Sequence, residues 1–169
     1  PTHEISDGAL QPAVEIPARA EMVRDRILQT GFGAVLEPDD FGMAPLQRVH
    51  DAGYLAFLES FWTRWTNAGR SGEAFPFVWP VRGLRKDPAP DHIDGLLGRY
   101  SFDAGTPMGE HTFAAARASA NSALTAARLV AGGEASEVIV AGEVPDVSRA
   151  YKLDTDRVIS LVGMEIPAE

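Results

Sequence analysis

Four histidines, at positions 3, 50, 92 and 111, are the side chains in this 169-residue chain best suited to holding a metal or moving a proton. Cysteine is absent, which removes disulfides, thiolate zinc sites and a cysteine nucleophile. His50 and Asp51 are adjacent, and neighbours in sequence rarely point at one ion. His92 and Asp94 stand two apart in a proline-rich stretch, a weak spacing for shared ligation. Asp154 and Asp156 resemble a piece of a calcium loop, but its turn glycine and distal glutamate are missing. Gly-x-Ser-x-Gly elbows, Walker phosphate loops and dinucleotide glycine fingerprints are all absent. By residue type and spacing alone, no catalytic centre is defined, and a hydrolase built on some other Asp, Glu and His set has no spacing in its support.

The composition is that of a globular protein, 45% apolar and 23% charged, with the length of one ordinary domain. The net charge of −9 opposes binding to nucleic-acid phosphate and is compatible with a small polycation. The longest weakly polar stretch, Ala114–Ala131, is interrupted by Arg117, Asn121 and Arg128, so no membrane span is expected. No basic-then-apolar leader opens the sequence at Pro1, and the expected location is the cytoplasm.

The elements that would position these side chains can be read from pattern. Pro1–Ile16, mixed in polarity with Gly8 and Pro12, reads as a loop. Pro17 suits a first helical turn, and Ala20, Val23, Ile27 and Leu28 follow at helical spacing until Gly31 and Gly33. Ala34–Glu37 reads as a short strand and Pro45–Val49 as a short helix. The strongest signal is Tyr54, Phe57, Leu58, Phe61, Trp62 and Trp65, one broad apolar stripe on a helix from about Ala52 to Asn67. Asp51 is its expected cap, Gly69 its terminator, and the stripe is core. Arg70–Pro90 is irregular and aromatic, as a functional or interface loop would be. Thr112–Ala131 is an alanine-rich helix closed by Gly132-Gly133. Beyond it, Val138–Ala141 and Val158–Ile166 are β-branched runs joined by the polar connection Pro145–Asp156, able to pair as a hairpin or to extend a sheet.

The order of several short motifs resembles the opening of the acetylpolyamine amidohydrolases, a branch of the histone-deacetylase-like zinc hydrolases. Gly8-Ala9-Leu10 is followed by Glu15-Ile16-Pro17-Ala18-Arg19-Ala20-Glu21 and then by Val49-His50-Asp51-Ala52-Gly53-Tyr54-Leu55. Phe57-Leu58-Glu59, the Trp62 and Trp65 pair, Phe77–Arg82 and Ile93-Asp94-Gly95 come next. Tyr100-Ser101-Phe102-Asp103-Ala104-Gly105-Thr106-Pro107 and the alanine-rich helix complete the series. The resemblance runs over residues 1–133, and residues 134–169 form a β-rich segment outside it. It implies an α/β, helix-rich, partial arginase–deacetylase-like fold with a short C-terminal β-unit.

The family's chemistry is deacetylation of small acetylated amines. A zinc held by two aspartates and a histidine polarises the amide carbonyl, and a histidine pair activates water. Those groups follow the alanine-rich helix in the family. Here no histidine follows His111, and after Gly133 the chain reads Glu134-Ala135-Ser136-Glu137-Val138-Ile139-Val140. Zinc is thus the family's cofactor, while no metal and no catalytic residue are expected in this chain. By the same resemblance, the family's opening strand is expected to be missing ahead of Pro1. By resemblance, Glu4 and Asp94 fall where the family presents carboxylates at the rim of a substrate tunnel, able to select a polyamine's ammonium groups. The Arg70–Pro90 loop falls on an insertion that builds a homodimer contact and narrows that tunnel. The resulting expectation is a partial amidohydrolase relative, inactive alone. The alternative is a non-catalytic binding or oligomerisation module, with Val138–Ile166 as a replacement β-unit covering an exposed sheet.

Overall fold

A computed structural model describes residues 1–81, 89–105, 107–141 and 158–162 of the chain. It contains two compact units, one formed by Pro1–Val14 with Met43–Phe113, the other by Glu15–Gly42 with Ala114–Glu169.

The first unit opens with a hairpin. Strands β1 (His3–Ser6) and β2 (Ala9–Pro12) pair antiparallel, with His3 opposite Pro12 and Ser6 opposite Ala9. Asp7 and Gly8 make the turn at φ 52° and 76°, the left-handed pair that two-residue hairpins favour. The expectation of a loop over Pro1–Ile16 is therefore corrected. Asp-Gly is the usual hairpin signal, but here its flanks are only four residues long and do not alternate cleanly.

Helix α2 (Ala44–Val49) leads to α3 (Ala52–Asn67), and Asp51 caps α3 by accepting the Tyr54 N–H at 3.1 Å. Within the expected stripe, Phe57, Phe61 and Trp65 are buried, while Tyr54, Leu58 and Trp62 flank them half-buried. Rings four residues apart touch in succession, Phe57 on Phe61 at 5.4 Å and Phe61 on Trp65 at 5.8 Å between centroids.

Against this row packs a helix that the sequence pattern did not announce, α4 (Ile93–Tyr100), through Ile93, Leu96 and Leu97. Two glycines in eight residues hide it from propensity rules. At Gly98 a methyl group would lie 1.5 Å from the Val78 carbonyl oxygen, so glycine lets the Val78–Trp79 backbone lie directly on the helix. Ala74 and Met108 close the same core by exchanging backbone hydrogen bonds of 2.8 and 3.0 Å.

In the second unit, α1 (Pro17–Thr30) begins on Pro17 and ends at Gly31, which takes the left-handed conformation at φ 62°. Of its apolar residues only Ile27 is buried, and Val23 and Leu28 remain exposed. Helix α5 (Thr112–Ala131) supplies Ser122, Thr125 and Leu129 to the unit's interior, and Gly133 turns the chain out at φ 71°. Strands β3 (Val35–Leu36), β4 (Glu137–Ala141) and β5 (Val158–Val162) form one sheet in the order β3-β5-β4, parallel throughout. The two C-terminal runs therefore extend a sheet and are not a hairpin. Residues 163–166 and the Pro145–Asp156 connection lie outside the described residues, as do residues 82–88 of the Arg70–Pro90 loop.

Candidate functional site

Among the residues expected at a substrate rim, Glu4 lies on β1 opposite Gln11, half-buried. Among the described residues its one close donor is the Val14 N–H, which reaches Oε2 across a long 3.4 Å. One carboxylate oxygen is thus free of close described contacts.

Asp94 is placed differently. It sits in the first turn of α4, where the helix dipole favours an anion. Arg70 grips it through both carboxylate oxygens, with Nη2 donating to Oδ2 at 2.6 Å and Nη1 to Oδ1. The Asp94 and Arg70 side chains are 15% and 30% exposed. The guanidinium also lies over the Trp65 ring, 4.7 Å from its centroid, while the Trp65 indole N–H donates to the Gly72 carbonyl at 3.2 Å. The hydrogen bonds that Arg70 donates to the Asp94 carboxylate raise the pKa of Arg70 above its ordinary value. His92, two residues earlier, caps α4, its Nδ1 accepting the Asp94 N–H at 3.3 Å. The spacing of two that looked weak for metal binding is a capping geometry.

The other histidines have similar local roles. His3 holds Glu73, whose Oε2 accepts the His3 N–H at 3.1 Å and lies 3.3 Å from the ring Nδ1. Burial pushes the Glu73 carboxyl up, but hydrogen bonds from the Thr2 N–H and from His3 outweigh it and leave the group below its ordinary value. His50 ends α2, its N–H on the Leu46 carbonyl at 2.9 Å and its ring 5.6 Å from that of Tyr54. His111 is exposed in the turn before α5. Asp154 and Asp156 lie outside the described residues.

Among the described residues, no three histidine, aspartate or glutamate side chains converge as metal ligands, so these residues do not fit a zinc site. No helix among them is long and apolar enough to cross a membrane.

Sequence reading missed a polar network that belongs to the second unit. Arg117, Asn121, Thr125 and Arg128 line one face of α5 and receive the loop at Asp39–Gly42. Arg117 donates to Asp40 at 2.6 Å, the Asn121 amide bridges Asp40 and the Phe41 N–H, and Thr125 accepts the Asp39 N–H at 2.9 Å. Arg128 then joins Asp39 to Glu134. Arg117 first, then the Gly42 N–H and Asn121, lower the Asp40 pKa to about 2. The available signal was a polar row at spacings of four, four and three on an otherwise alanine-rich helix.

The first unit exposes apolar side chains on the Arg70–Pro90 loop ahead of α4 and just past the end of that helix. Phe77, Val78, Trp79 and Val81 are all substantially exposed, and Phe102 is fully so.

No protein-family model matches the chain. It is 46% identical over 134 residues to acetylpolyamine amidohydrolase 2 of Pseudomonas aeruginosa, covering 79% of this chain and 39% of that protein. The crystal structure of acetylpolyamine aminohydrolase from Burkholderia pseudomallei matches at a TM-score of 0.71 and 35% identity, over 83% of this chain and 40% of that one. A separate similarity, 71% identity over 38 residues, is to the phenylalanine–tRNA ligase beta subunit of Ruegeria pomeroyi, covering 22% of this chain but 5% of that protein.

The fold is thus a partial arginase–deacetylase fold. Most of the chain corresponds to the N-terminal portion of an acetylpolyamine amidohydrolase, and it spans about two fifths of the length of the curated amidohydrolases it matches.

Proposed function

We propose that the chain supplies the substrate-rim and interface portion of an acetylpolyamine-amidohydrolase-like protein, and that it does not cleave amides by itself. The carrying observation is the 134-residue similarity to such enzymes in a chain whose described residues assemble no set of zinc ligands. In the relatives' chemistry a zinc ion would polarise the amide carbonyl; no step of that kind is assigned to these residues.

The ligand is a small cationic acetylated amine, attracted by a net charge of −9 and met at the rim by carboxylates. Glu4 is the stronger candidate for an ammonium partner, because one of its oxygens lacks a close described donor. Asp94 would have to share its carboxylate with Arg70. The protein works as a soluble, cytoplasmic homodimer, with Phe77–Val81 in the contact; their exposure supports that role.

Calorimetric titration of the 169-residue chain with N-acetylputrescine tests the reading. Weak, salt-sensitive binding that Glu4→Gln reduces several-fold supports it; equal binding by wild type and Glu4→Gln overturns the rim assignment. A non-catalytic oligomerisation module is the second reading, favoured by the same exposed aromatic segment. A stable dimer that binds no acetylated amine would select it.

A further inference from the structure

Strand β1 carries Glu4, yet its own sheet gives it little rigidity. Among the described residues β1 pairs with β2 alone, and the four residues of β2 are all exposed. A lone two-stranded hairpin is marginal in water, so contacts outside it must hold it in place.

Glu73 makes those contacts. Its Oε1 accepts the Thr2 N–H, and its Oε2 accepts the His3 N–H at 3.1 Å and lies 3.3 Å from the His3 Nδ1. Hydrogen bonds to a carboxylate are stronger than neutral ones, and this side chain is only 19% exposed. Glu73 is itself fixed to the core, because the next residue, Ala74, is fully buried and exchanges two backbone hydrogen bonds with Met108. On the other side of Glu4, the loop at Gly105 comes close to β1. A methyl group on Gly105 would lie 3.1 Å from the Ile5 carbonyl oxygen. Both chain neighbours of Glu4 are thus held from outside the hairpin. Side chains alternate across a strand, so fixing His3 against Glu73 turns Glu4 to the opposite face.

We propose that Glu73 is the positioning residue of the rim, setting the direction in which β1 presents the Glu4 carboxylate to a ligand's ammonium group. This role rests on the reading of Glu4 as a rim acid. Both oxygens of a carboxylate accept, whereas a glutamine would set its own NH2 against one of the two N–H groups. Glu73→Gln therefore keeps the shape of the side chain and breaks half of its grip.

Two measurements on the full chain test the proposal. Without ligand, exchange of the His3 amide should quicken about tenfold in Glu73→Gln, the scale of one lost hydrogen bond to a charged group. Exchange equal to wild type overturns the anchor. With N-acetylputrescine, calorimetry on wild type, Glu4→Gln, Glu73→Gln and the double variant closes a mutant cycle. Glu73→Gln alone should weaken binding several-fold, and it should add nothing where Glu4→Gln is already present. Additive losses overturn the positioning role while the rim reading stands, and so does unchanged affinity in Glu73→Gln beside weakened binding in Glu4→Gln. Equal binding by wild type and Glu4→Gln overturns the rim reading, and with it the ligand role of Glu73, whatever the exchange shows. If Glu73→Gln does not fold, wild-type exchange decides. A slow His3 amide supports the anchor, and one as fast as in an unfolded peptide overturns it.

Discussion

Arg70 and Asp94 form a two-pronged ion pair across 24 positions of sequence, with the Arg70 guanidinium lying on the face of Trp65. The contact joins the segment after α3 to the first turn of α4, and so links the aromatic core to the start of the helix that carries Asp94. An acid placed at a ligand-facing rim would be expected to stand free. Here an internal cation already meets it, and a ligand ammonium would have to compete with a tethered guanidinium.

Removing that guanidinium should therefore separate the pair's two roles. Arg70→Ala is expected to lower the melting temperature and to increase affinity for N-acetylputrescine several-fold in calorimetry. Asp94→Asn should also lower the melting temperature while changing affinity less than Glu4→Gln does. An Arg70→Ala chain with unchanged affinity would show that Asp94 serves the fold and not the ligand.

Gly98 provides a test of packing. A methyl group there would overlap the Val78 carbonyl oxygen at 1.5 Å, and that oxygen belongs to backbone, which cannot swing aside as a long side chain can. Gly98→Ala should cost at least the ~1–3 kcal/mol typical of overpacking, with displacement of Val78–Trp79 from α4. Chemical denaturation reads the first effect, and amide hydrogen exchange at Val78 and Trp79 reads the second. A helix-propensity gain of about 1 kcal/mol, the usual result of glycine to alanine in an exposed helix, is the opposite outcome.

Acid should loosen the second unit through Asp40. Its pKa is lowered from 3.8 to about 2 in the fold, so its contribution is fully present above pH 3.8 and disappears as pH falls through 2. Exchange at the amides of Asp39, Phe41 and Gly42 should accelerate across that window. Asp40→Asn should flatten the pH dependence, and added salt should weaken it, because the side chain is largely exposed. An Asp40 carboxyl that titrates near 3.8 by NMR would contradict the ion pair with Arg117.

What could be read from sequence followed the strength of local pattern. The α3 stripe, its Asp51 cap, the α5 helix and its glycine end were legible because each is encoded within a few residues. Helix α4 was hidden by Gly95 and Gly98, whose value lies in close approach to Pro90 and Val78 and is invisible to propensity. The parallel pairing of β4 with β5 was equally hidden, since β-branched composition carries no direction. At the candidate site, Glu4 and Asp94 came from motif order, but Asp94's partner came from a distant residue. The Asp39–Asp40 network had a sequence trace, the polar row on α5, whose meaning depended on the loop that meets it.

Metal content and turnover, measured on one preparation of the 169-residue chain after zinc loading and desalting, test the central claim most directly. The predicted result is far less than one zinc per chain and no deacetylation of N-acetylputrescine or an acetyl-lysine peptide above buffer. About one tightly held zinc per chain, with turnover lost on chelation and regained on zinc addition, would contradict it.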